Sequence, residues 1–118
     1  MQAFEFSQAV IPAMLPEGGT LLFSGATMAM RGSANFTAMA PATFARRALA
    51  QSLAREFGPR GIHVCHVIID GIIRTERTEG MMGPGEEGTR LIPEDIAQVY
   101  VDLIKQPRSA WTQELDIR

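Results

Sequence analysis

Four residue types are nearly missing from this sequence. Cys65 is the only cysteine in 118 residues, so an intrachain disulfide is excluded, and its apolar surroundings predict an unreactive buried thiol. Tyr100, Lys105 and Trp111 are likewise the only residues of their types. Tyr100 and Lys105 lie on a predicted helix with about 140° between them around its axis, so they cannot act together on one substrate atom.

The charge pattern also lacks a strong bias. The 13 acidic and 11 basic residues give a net charge of −2 and an isoelectric point near 5.6. The basic residues are scattered rather than clustered, which argues against nucleic acid as a partner. No apolar run reaches the roughly 20 residues of a membrane span, and no signal peptide opens the chain. We therefore expect a soluble, cytoplasmic protein with no membrane partner.

Hydrophobic periodicity predicts a single α/β domain over residues 1–118. Helical spacing is found over residues 2–15, 36–57 and 93–106, and apolar or alternating runs indicate strands at 20–24, 62–69 and 111–117. Residues 74–90, which are rich in glycine and charge, are typical of a surface loop. Strands joined by helical crossovers predict three parallel strands wound right-handedly, with flanking helices.

The segment Gly-Ser-Ala-Asn-Phe-Thr-Ala-Met-Ala-Pro-Ala-Thr-Phe at residues 32–44, with its continuation to residue 60, resembles the central helix of the short-chain dehydrogenase/reductase family. Residues 19–26 resemble the family's preceding strand, and residues 61–75 its next strand and turn. The match covers nearly the whole chain, but only the second half of such enzymes. The resemblance implies a partial Rossmann-like fold and NAD or NADP as cofactor.

The same resemblance places the family's catalytic serine, tyrosine and lysine at Ala26, Met39 and Thr43. None of these side chains is an acid or base, so it implies no catalytic residue in this chain. The family's Gly-x-x-x-Gly-x-Gly phosphate-binding turn is also absent from the sequence. Binding of the cofactor by this chain alone is therefore doubtful.

A possible cofactor-binding turn follows residues 62–69. By resemblance, Gly71 lets the backbone approach the nicotinamide, Ile73 packs on its ring and Thr75 binds its carboxamide. Asp70 stands where the family usually has proline, which we expect to loosen the turn and to bring a negative charge near an anionic cofactor. A strand exit without any ligand is an equal alternative.

Other polar residues favour structural roles. His63 and Cys65 fall on the strand face opposite to His66, so we expect no metal site. Ser24 is expected to face the sheet and Ser33 a turn, whereas Arg46 and Arg47 form a solvated helix face. Three methionines are expected to fill gaps in the core, and these are Met28, Met30 and Met39.

Two functional hypotheses follow. The first is a catalytically inactive relative of NAD(P)-dependent oxidoreductases that acts as a structural, self-associating remnant. It would form a homo-oligomer through helices 2–15 and 36–57. The alternative is one part of a functional oxidoreductase, completed by another polypeptide or by a missing N-terminal half.

Overall fold

Helices and strands alternate along the chain except before the last strand, where two helices follow one another. The computed structural model describes residues 2–118, so Met1, the first residue of the predicted domain, lies outside the described residues. The helices are α1 (Gln2–Met14), α2 (Ala40–Phe57), α3 (Glu76–Met82) and α4 (Pro93–Ile104). The strands are β1 (Gly19–Ala26), β2 (Ile62–Ile69) and β3 (Glu114–Ile117).

The three strands form one parallel sheet in the order β1-β2-β3, which confirms the predicted α/β fold. All eight residues of β1 pair with β2, from Gly19 opposite Ile62 to Ala26 opposite Ile69. The shorter β3 pairs only with the second half of β2, from Glu114 opposite His66 onwards. β2 is therefore the central strand, and within residues 2–118 the outer edge of β1 has no neighbouring strand.

Each face of the sheet carries its own apolar core, because side chains alternate along a strand. Helices α1 and α2 cover one face, whose core is formed by Ile11, Leu21, Phe23, Ala50, Leu53, Ile62 and Val64. Helix α4 covers the other, where Leu103 packs on Cys65 and Val67. β2 contributes to both cores, and its residues 62–68 are all buried. The two histidines take opposite faces, as the alternation predicts.

Three predictions differ most from the structure. Helix α2 begins at Ala40 rather than at residue 36, because Pro41 fits a helix start and the left-handed Asn35 (φ 71°) keeps the chain irregular before it. Residues 74–90 contain helix α3, whose start Thr75 and Thr78 stabilise by a reciprocal capping box. Trp111 to Gln113 precede β3 rather than belonging to it.

Gly25 and His66 fit together across β1 and β2. A Cβ atom added at Gly25 would lie 2.3 Å from Nε2 of His66. The His66 ring is fully buried, and Glu114 holds its Nδ1 at 3.0 Å. The ring therefore cannot withdraw, and only glycine fits at position 25.

We expect Gly25→Ala to lower the free energy of unfolding by about 1–3 kcal/mol, the usual cost of overpacking a rigid site. Urea denaturation measures it. Gly32→Ala is the matched control, because a Cβ at Gly32 meets nothing within 4 Å. Equal stability of the two variants would contradict the rigid placement of His66.

Candidate functional site

The carboxyl ends of the strands form the edge at which open α/β sheets bind ligands. Here hydrogen bonds and ion pairs join the residues that follow all three strands. The hydroxyl of Thr27, just after β1, donates to the carboxylate of Asp70, just after β2. Arg118, which follows β3, places Nη2 3.8 Å from Asp70 Oδ2 and 2.5 Å from Asp116 Oδ2. Because it stands in place of a proline, Asp70 was expected to loosen the turn. Instead its carboxylate contacts Thr27 after β1 and Arg118 after β3, and so holds the turn in place.

The three residues that the resemblance aligns with the family's catalytic ones lie at the end of β1 and the start of α2, and none is an acid-base group. Ala26 ends β1 and is partly buried. Met39 immediately precedes α2 and is 54% exposed. Thr43 donates its hydroxyl to the carbonyl of Ala40 at 2.9 Å, as a helical threonine commonly does. None of the three side chains can donate a proton to a substrate in this arrangement.

The predicted cofactor turn is ordered by contacts within the chain. Gly71 lies against Leu91, whose Cδ1 would be 3.0 Å from an added Cβ. Ile73 forms an isolated parallel bridge with Leu91, and the amide of Arg74 donates to the Leu91 carbonyl at 2.8 Å. Thr75 accepts a hydrogen bond from the amide of Thr78 and caps α3. The turn is preformed, but the Thr75 hydroxyl is already engaged.

The turn at residues 71–75 was predicted to hold the nicotinamide end of a dinucleotide. Leu91 fills the space beside Gly71 that a Cβ would take, so the backbone is not open to a flat ring on that side. Pyrophosphate needs a glycine-rich turn at a helix N-terminus, and the sequence contains no such motif. The described residues therefore do not form a complete NAD(P) site, and no catalytic step can be derived through the cofactor from them.

One hydroxyl pair was not predicted. Ser24 was expected to face the sheet, but its exposed Oγ lies 2.5 Å from the hydroxyl of Tyr100 on α4. Their separation of 76 residues hides this contact from any sequence pattern. Arg46 reaches the same residue, yet its Nη1 donates to the Ser24 carbonyl at 2.9 Å rather than to either hydroxyl. The pair therefore has a serine and a tyrosine, but no cation bound to the hydroxyls as an acid-base site requires.

A charged network lies beneath α2. Arg47 donates to both carboxylate oxygens of Glu114, at 2.9 and 2.8 Å, and His66 contacts the same carboxylate. Burial raises the pKa of Glu114, but hydrogen bonds from Arg47 and His66 and their charges outweigh it, so the net pKa lies below the ordinary 4.5. Arg47 is therefore not part of a solvated face. It links α2 to β3.

Cys65 is unreactive, as predicted. It is fully buried, and desolvation, with a smaller contribution from the charge of Glu114, raises the pKa of its thiol to about 11. A thiol with such a pKa stays protonated at neutral pH and is a poor nucleophile.

The methionines differ from the prediction. Met30 and Met39 are exposed rather than filling the core, as are Met81 and Met82 on α3.

Over the described chain, no group of three or more His, Cys, Asp or Glu side chains is arranged to hold a metal ion. Nor is any helix between residues 2 and 118 long and apolar enough to cross a membrane.

Comparison with known proteins gives the family. A family model described as enoyl-(acyl carrier protein) reductase matches residues 1–112. A short-chain dehydrogenase from Rhodopseudomonas palustris has 37% sequence identity and a TM-score of 0.76 over 98% of this chain. This chain therefore belongs to the short-chain dehydrogenase/reductase family. No match was found among curated proteins.

Other solved structures agree on the fold. A short-chain dehydrogenase from Salmonella enterica serovar Typhi has 27% identity and a TM-score of 0.78 over 96% of this chain. An alcohol dehydrogenase from Thermococcus sibiricus, complexed with 5-hydroxy-NADP, has 20% identity and a TM-score of 0.78 over 98% of it. The chain covers only 46%, 47% and 48% of the Rhodopseudomonas, Salmonella and Thermococcus chains. It spans about half the length of these relatives.

We expect stability to fall as pH drops below about 4.5, because the Glu114 pKa is lower in the folded chain than in the unfolded one. The stabilisation is present above the unfolded pKa and is lost as pH falls through the folded pKa. Glu114→Gln should flatten this dependence and cost on the order of 1.5–3 kcal/mol at pH 7. Thermal unfolding between pH 3 and 7 measures both effects, in steps of about half a unit.

The matched control is Glu56→Gln, on the exposed part of α2. Its pH profile should follow that of the original chain. A Glu114→Gln profile that also follows it would contradict the network's role in stability.

Proposed function

We propose that this chain is a non-catalytic structural member of the family, which self-associates, and that it resides in the cytoplasm. One observation carries the proposal: Ala26, Met39 and Thr43 stand at the three family positions for proton transfer, and none has an acid or base. Positioned acid-base groups are worth about 10²–10⁴ in rate, so their loss removes most of the chemistry.

A surface between α1 and α2 supports self-association. Phe4 on α1 is 44% exposed and borders a cavity of about 560 Å³. The other apolar residues around this cavity lie mainly on α2. We call the cavity the α1–α2 groove, and it is lined by Gln2, Ala3, Phe4, Ala42, Ala45, Arg46 and Leu49. Exposed apolar patches of this kind commonly mark protein interfaces. A second copy would bury both grooves symmetrically.

The competing proposal is one part of an oxidoreductase that another polypeptide, or an N-terminal half, completes. Its support is the unpaired outer edge of β1 in the described sheet, together with coverage of about half of each relative. The preformed turn at residues 71–75 would then contribute to a nicotinamide pocket. Two neighbours were solved with such cofactors, the Thermococcus sibiricus enzyme with 5-hydroxy-NADP and a 4-hydroxyisoleucine dehydrogenase with NADH.

We expect the isolated chain to have no carbonyl-reductase or alcohol-dehydrogenase activity and to bind NAD or NADP no more tightly than about 1 mM, or roughly 4 kcal/mol. Calorimetry measures binding, and absorbance of the reduced cofactor measures turnover. Micromolar binding, or turnover that Tyr100→Phe abolishes, would contradict this proposal.

Reconstitution with a second polypeptide separates the two proposals. The variant Ala26→Ser, Met39→Tyr, Thr43→Lys should stay inactive alone, because it still lacks the phosphate-binding turn. Mixing the original chain with a polypeptide that carries a Gly-x-x-x-Gly-x-Gly segment tests the competitor. Tight association with gain of cofactor turnover would favour the completed enzyme, and no association would favour the structural protein.

Sedimentation should find a homo-oligomer at micromolar concentration. Phe4→Glu with Ala45→Glu should dissociate it, because two carboxylates would enter the α1–α2 groove. Ser24→Pro tests pairing through the open strand edge instead. The carbonyl of Ser24 accepts from Arg46, so it points to the outer edge of β1. The N–H of Ser24 points to the same side, and proline removes this donor.

Helix-mediated association predicts that Ser24→Pro remains oligomeric. Phe36→Glu is the control for an exposed phenylalanine outside the groove. A stable, folded monomer of the original chain would overturn self-association, and dissociation by Ser24→Pro alone would assign it to the strand edge.

A further inference from the structure

Four buried side-chain nitrogens lack a hydrogen-bond partner among the described residues: Nδ1 of His63, Nε2 of His66, Nε of Arg90 and Nε2 of Gln113. Such groups are uncommon, since each costs on the order of 1–3 kcal/mol in a folded protein. His63 and Gln113 line the same cavity. Two complementary unsatisfied groups in one cavity point to a ligand site.

The cavity occupies the gap left where β3 is short. β3 begins opposite His66, so the residues of β2 before it have no partner strand on that side. The cavity has a volume of about 330 Å³. A water molecule takes up about 30 Å³ in the liquid, so one water cannot fill it. It lies at the amino ends of the strands, opposite to the edge that holds the cofactor turn.

The hydrogen bonds of His63 fix what it offers. Its Nε2 lies 2.8 Å from the carbonyl oxygen of Thr112, which can only accept, so Nε2 carries the proton. Nδ1 is then an acceptor without a donor. The ring is 2% exposed and stacks on Trp111, with 4.9 Å between ring centroids and 5° between planes. It is therefore held rigidly.

Gln113 offers the opposite group. Its Nε2 is a donor, and its side chain is only half-buried. Both nitrogens are covered by protein atoms, so a ligand would contact them only if the covering side chains moved. The remaining walls are mostly apolar, from Ala54, Ile62, Val64 and Trp111, and Arg55 is the only charged side chain among the lining residues.

We propose that this cavity binds a small neutral carboxamide with an apolar body. The amide N–H donates to His63 Nδ1, and the amide oxygen accepts from Gln113 Nε2. A carboxylate fits less well, because its oxygens would place lone pairs against the lone pair of Nδ1. An alcohol carries its donor and acceptor on one atom and cannot reach two side chains on different segments as easily. The site does not depend on the proposed structural function.

The fluorescence of Trp111 tests this, because Trp111 is the only tryptophan and stacks on His63. Cyclohexanecarboxamide should change the fluorescence saturably. Cyclohexanecarboxylate and cyclohexylmethanol, of similar shape, should bind at least about tenfold more weakly, as the loss of one good hydrogen bond implies. Equal responses to all three compounds, or a response that does not saturate, would overturn the proposal.

Two variants locate the site. Gln113→Leu should weaken binding of cyclohexanecarboxamide about tenfold, whereas Gln98→Leu, on the exposed face of α4, should leave it unchanged. Circular dichroism checks that both fold. Unchanged affinity in a folded Gln113→Leu would overturn the site. Should this variant not fold, the comparison of amide, acid and alcohol on the original chain decides.

Discussion

Burial of β2 on both faces is the constraint on which the rest of the structure depends. Its apolar side chains alternate between the core under α1 and α2 and the core under α4. Each buried valine or isoleucine contributes about 1.5–3 kcal/mol relative to exposure, so this strand joins the two cores into one folding unit. β1 and β3 are stable because each pairs with it.

Both histidines of β2 have specific protein partners. Glu114 accepts from His66 and Arg47 together, so one carboxylate joins β2, β3 and α2. His63, on the opposite face, is held between Thr112 and Trp111. Both rings leave one nitrogen unsatisfied, but in different surroundings. Nε2 of His66 packs against Gly25, whereas His63 lines a cavity.

Periodicity predicted the strands and helices well because burial decides them. The run at residues 62–69 is apolar apart from its two histidines, and its bounds agree with β2. Helix α3 was missed because its start depends on a hydrogen-bond exchange between Thr75 and Thr78, within a segment whose glycines favour a loop. The sequence analysis also missed three hydrogen-bonded pairs, which are Ser24–Tyr100, Thr27–Asp70 and Arg47–Glu114. Each joins residues distant in sequence, so no local pattern records it.

The resemblance predicted the family, but not what the replaced residues do. Asp70 illustrates the difference: removal of a proline frees a backbone dihedral, yet the new carboxylate binds Thr27 and Arg118 across the sheet. The positions at Ala26, Met39 and Thr43 lie outside both apolar cores. Acid-base side chains there can therefore be replaced with little loss of packing. This separation of the folding core from the carboxyl edge explains physically how the scaffold is retained while the side chains for proton transfer are absent.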